Sequence, residues 1–170
     1  MTEKYDIDRD EEHLSGLDQQ FMDGLKRMEA GDIDAAAETF RRILTVEPRL
    51  AEPRIELSRI LMETAQLGEA EAEIREAIRI LENGGQWIDG LAENQVLSVA
   101  YGLLAETLRV VSEGDELVFG DPDTWRNVVE EAHAAFRKAR ELDPENAHAD
   151  YWAGGFDVDA GRQDDADLEN

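Results

Sequence analysis

The chain has 170 residues, no cysteine, and 41 acidic against 17 basic side chains, for a formal net charge of −24. That length suits one domain that buries a core without staples, and the missing cysteines exclude disulfides, zinc thiolates and iron–sulfur clusters. So acidic a surface repels phosphate backbones and anionic lipids, which argues against nucleic acid and membrane surfaces as partners.

Residues 1–14, "MTEKYDIDRDEEHL", are charged and read as a mobile acidic N-terminal tail without the apolar core of a signal peptide. The longest uncharged, largely apolar run, Asn94 to Ala105, is too short for a bilayer span of about 18 residues. Together these give the expectation of a cytoplasmic protein. Ser15, with Asp18 three residues on, is placed to open the first helix.

A first helix hairpin is expected over about 17–50. Gly24 supplies a small residue in its first helix and Gly31 a turn. Ala36, Phe40 and Ile43 then fall at i, i+4 and i+7 on one face of the second helix, which Pro48 ends. Asp32 or Asp34 stands where a carboxylate can cap that helix. A second hairpin, over about 51–84, carries Leu57, Ser58 and Leu61, then Leu67 after the turn, then Ala70, Ile74 and Ala77. "NGG", from Asn83, stops it in place of a proline.

Ala36 and Ala70 are 34 residues apart, a spacing that marks repeat architecture. A third copy, over about 90–146, has a clear second helix with Ala132, Phe136, Ala139 and Pro144. Its alanine comes 28 residues later than the period requires. The excess falls in a longer first helix, where Gly102 is the candidate small residue, and in an insertion at 113–124, "EGDELVFGDPDT". Asp123 or Thr124 is expected to open the helix that follows. Gly154, Gly161 and Ala166 suggest a partial fourth copy over 147–168.

A small-residue helix, a turn, Ala-x3-Phe and a closing proline, repeated at 34 residues, resembles the tetratricopeptide repeat family. The resemblance implies an all-α, right-handed α-α superhelix, a solenoid of about three hairpins plus a partial fourth, over residues 15–168. It also implies a function: binding a protein or peptide as a scaffold or adaptor. In that family the first helices of the pairs line the inner, concave side. Here they would present Phe21, Met22, Leu25 and Met28, then Ile55, Arg59 and Met62, with Glu56 and Glu63 among them. Methionine suits such an adaptable surface, and acidic rims favour basic partner segments. Family members that grip carboxylate-terminal tails use lysine and asparagine, but here Phe21, Leu25 and Glu56 stand at the matching positions, so that subtype is rejected.

Two other roles stay open: a secretion-type or assembly chaperone for one apolar client, and a self-assembling subunit, hence a homo-oligomer. The acidic surface itself has two readings, solubility in a salty cytoplasm or a basic client. In the insertion, Leu117, Val118 and Phe119 either tuck beneath the loop or stand out as a hydrophobic hook. Trp87, Trp125 and Trp152 are expected to seal hairpin junctions.

No catalytic constellation emerges, and an enzyme, a cofactor or a metal is not expected. His13, His133 and His148 share no ligand spacing. The acidic segments from Asp6 and Asp157 imitate calcium loops but put leucine at the twelfth place, where the EF-hand needs glutamate.

Overall fold

The structure is a computed structural model, and it describes residues 16–88 and 90–145. Seven α-helices and no strand occur among them: α1 Leu17–Glu29, α2 Ile33–Val46, α3 Glu52–Glu63, α4 Leu67–Glu82, α5 Glu93–Ser112, the short α6 Asp115–Val118, and α7 Pro122–Leu142. The acidic tail, Ser15, His13, His148, Trp152, both calcium-like segments and the partial fourth hairpin lie outside the described residues. The chain divides into two compact units, one ending at Glu93 and one starting at Asn94.

In the first unit consecutive helices pack on one another: α1 on α2, α2 on α3, α3 on α4. This is a stack of two hairpins, α1–α2 and α3–α4, joined through α2. The reason lies in the apolar spacing. Ala36, Phe40 and Ile43 on α2, and Leu57, Ile60 and Leu61 on α3, are buried in one core with Leu17, Phe21, Leu50 and Ala70. One hairpin cannot cover both of its faces, so each depends on its neighbour.

Small residues set the approach of the helices within each hairpin. A Cβ at Gly24 would stand 2.6 and 2.9 Å from two ring carbons of Phe40, so the Phe40 ring occupies the space that glycine leaves. The ring therefore fills a gap in its own hairpin. Thirty-four residues on, Ser58 takes the glycine's place. Its hydroxyl donates a 3.1 Å hydrogen bond to the Ala70 carbonyl in the buried seam.

Helices α1, α3 and α4 end in one way. Gly31, Ala65 and Gly84 have left-handed φ values of 81°, 60° and 78°. The next residue in each case donates five residues back: Asp32 to Arg27, Gln66 to Leu61 and Gly85 to Ile80, at 2.9, 2.7 and 2.9 Å. Ala65 thus repeats the turn of Gly31 one period later, and pays about 1–2 kcal/mol in Cβ strain that glycine avoids. Asp32 occupies the N-cap position of α2 but its side chain makes no cap bond. Its carboxylate lies 3.8 Å from Arg27 instead.

In the second unit, Ser98 Oγ donates to the Ala139 carbonyl at 2.7 Å and Trp125 Nε1 to the Ser112 carbonyl at 3.1 Å. The start of α5 thus meets the end of α7, and the end of α5 the start of α7. The two helices therefore run antiparallel. An added Cβ at Gly102, the candidate small residue of this hairpin, would meet nothing within 4 Å, so glycine is not required there by a close approach. Trp125, expected to seal the junction, bridges it by that bond but stays 41% exposed. The helix start differs from expectation: Asp121, two residues before Asp123, caps α7 by accepting from the Thr124 amide at 3.0 Å and its hydroxyl at 2.7 Å, with Pro122 in the first turn.

Candidate functional site

The first helices of the first unit, α1 and α3, carry the residues singled out in the sequence. Met22 is 48% exposed, whereas Leu25, Met28 and Met62 are half-buried and packed on the core. Phe21 and Ile55, expected on an exposed strip, are buried. For Phe21 the cause is visible. Its ring packs on Phe40 at 5.7 Å on one side and meets the Trp87 indole at 5.8 Å, edge to face. Trp87, from the connection after α4, was read as a junction seal; its reach back to α1 has no local signal in the sequence.

Arg59 is half-buried, with its Nε 3.6 Å from the Glu56 carboxylate, too far for a hydrogen bond. That buried Nε–H finds no acceptor among the described residues. Asp23, Glu29 and Glu63 are exposed on the same two helices. These two helices thus carry apolar, methionine-bearing positions and exposed carboxylates.

Two carboxylates on α3 are displaced from the ordinary glutamate value of 4.5. Burial pushes Glu52 up, against the pull of the Ile88, Trp87 and its own backbone N–H groups. Burial also pushes Glu56 up, against the charge of Arg59. The folded chain therefore takes up these two protons at higher pH than the unfolded chain does. Their contribution to stability is absent at neutral pH, grows as pH falls through the raised values, and is complete below 4.5. Relief of self-repulsion at a charge of −24 acts in the same direction. Glu76, held low by its hydrogen bond to Arg79, opposes this only below 4.5. Thermal melts should give a midpoint that rises from neutral pH toward the mildly acidic range; a steady fall would contradict the burial of Glu52 and Glu56.

A cleft of 370 Å³ lies among α2, α3 and α4, lined by Arg41, Leu44, Thr45, Arg54, Leu57, Glu69 and Glu73. Its charges are already matched: Arg54 bonds Glu73 and the Pro48 carbonyl at 2.7 and 2.8 Å, and Arg41 lies 3.4 Å from Glu69. In the second unit, Phe119 is 83% and Val118 51% exposed after α6, while Leu117 is half-buried. The three do not tuck together beneath the insertion. Among the described residues, no three His, Asp or Glu side chains are grouped to hold a metal ion, and no helix is long and apolar enough to cross a membrane.

Comparison with protein families agrees with this geometry. Residues 27–92 match the model of the tetratricopeptide repeat, which spans α2, α3 and α4 with the end of α1. The described residues form an all-α helical-repeat fold, and the match supports tetratricopeptide repeats over residues 27–92. No curated protein matches it. Such repeats generally mediate protein–protein interaction and scaffolding.

Proposed function

We propose that the protein is a non-catalytic scaffold or adaptor that binds a protein or peptide on the first-helix surface of α1 and α3. One observation carries this reading: Met22 on α1 is exposed, and Leu25, Met28 and Met62 on the same two first helices are only half-buried although they pack on the core. Exposed carboxylates at Asp23, Glu29 and Glu63 favour a basic segment and speed its approach, and the overall charge disfavours nucleic acid and anionic membranes. We place the protein in the cytoplasm.

The test is selection of peptides from a random displayed library against the full chain. Selected peptides should combine apolar anchors with lysine or arginine and release as salt is raised. Met22→Asp should weaken them about tenfold, a loss of about 1.4 kcal/mol, with helical circular dichroism unchanged because Met22 is exposed. Peptides that bind Met22→Asp undiminished would refute this surface.

Phe119 and Val118 favour a second contact. Their exposure, ringed by Asp115, Glu116, Asp121 and Asp123, suits a hydrophobic hook for a basic partner better than for an equally acidic second copy. Molar mass that stays monomeric over a wide concentration range supports the adaptor; a rise abolished by Phe119→Ser supports the self-assembling subunit. One tight client from native lysate, in place of a range of peptides, would mark a dedicated chaperone.

A further inference from the structure

The connection between α4 and α5 spans residues 83–92, twice the length of the 47–51 link that suffices between α2 and α3. The extra chain does not run directly to α5. It returns across the start of both first helices. Trp87 packs edge to face on Phe21 of α1. Glu52, in the first turn of α3, accepts the Trp87 amide at 3.0 and 3.2 Å on its two oxygens, and the Ile88 amide at 2.7 Å. Trp87 and Ile88 are half-buried against the core of the first unit. This is how an extended peptide docks: side chains into an apolar surface, consecutive backbone N–H groups to a fixed acceptor.

We propose that Trp87 and Ile88 form an intrachain plug over Phe21 and Glu52, on the two helices that carry the binding surface, which a partner displaces with an aromatic–aliphatic pair of its own and two consecutive N–H groups for Glu52. The proposal rests on the peptide-binding reading above and names the chemistry of the ligand. Three features make the plug separable from the stack. It lies outside any helix. Left-handed glycines stand on both sides of it, Gly84 at φ 78° and Gly90 at φ 108°. Its shape is held from within, by Gln86 Nε2 donating to the Ile88 and Leu91 carbonyls at 2.9 Å each.

The probe is a labelled, end-capped peptide with the sequence of residues 84–92, followed by fluorescence anisotropy with the full chain. The double variant Trp87→Ala, Ile88→Ala should bind it at least about tenfold more tightly than the native chain does, and adding Glu52→Ala should remove that gain. Equal binding to both chains, or none to either, overturns the plug. Should the double variant lose its helical signal, hydrogen exchange on the native chain decides. The Trp87 and Ile88 amides should exchange at least about tenfold faster than the buried amides of Leu57 and Ile60. Exchange of all four at one rate, by global unfolding, overturns the plug as well. Library peptides that obey the Met22→Asp prediction but do not compete with the probe would sink the plug while leaving the binding surface standing.

Discussion

Phe40→Ala should destabilise the protein by about 3–5 kcal/mol, the range for emptying a fully enclosed aromatic site. Phe40 is completely buried, and its ring is framed by Gly24 and by the Phe21 ring at 5.7 Å. The backbone of α1 at Gly24 has no side chain that can swing into the void, and Phe21 is pinned between Phe40 and Trp87. The cavity therefore stays open, and the cost lies toward the upper part of the range. Urea unfolding followed by circular dichroism measures it as a shift of midpoint at constant slope. A loss below about 1 kcal/mol would mean that the hairpin recloses around alanine.

Gly24→Leu should destabilise by about 1–3 kcal/mol or more, since any Cβ there stands within 3.0 Å of a ring that has nowhere to go. Helix propensity acts the other way, by about 0.8–1.0 kcal/mol in favour of replacing glycine inside α1, so a measured loss understates the clash. The informative variant is the pair. With Phe40→Ala in place, leucine at 24 extends into the vacated ring site, and the double variant should lose clearly less than the two single losses together. Simple additivity would show that Gly24 and Phe40 do not share one space.

Sequence spacing displayed the parts of the fold that depend on local chemistry. Ala36, Phe40 and Ile43 at helical intervals, Gly31 at a left-handed turn and Pro48 after α2 carry their roles in their own side chains. What escaped depended on pairing between distant segments. The pairing of α5 with α7 shows only through the bonds of Ser98 with Ala139 and Trp125 with Ser112. Gly102, conspicuous as a residue type, meets no close neighbour that would require glycine. Asp121 beats Asp123 as the cap because Pro122 occupies the first helical position, a preference that residue order does show and that was open to reading. Ala65 gives no sign of its left-handed turn except that it falls one period after Gly31.

The first-helix positions proposed for binding differ from the sequence expectation at two residues. Helical periodicity puts Phe21 and Leu25 on one face but does not say how deep each lies. Phe21 is covered by an indole 66 residues further along the chain, and Ile55 is buried. Phe119 presents the opposite case: an aromatic in a long insertion, more often covered than bare, stands in solvent.

Chemical-shift mapping on the full chain, with a library-selected peptide added in steps, tests the central claim most directly. The account predicts that the largest changes gather on α1 and α3, at Met22, Leu25, Met28, Arg59 and Met62. Changes gathered instead around Arg41, Thr45, Glu69 and Glu73, in the cleft of α2 and α4, would contradict it.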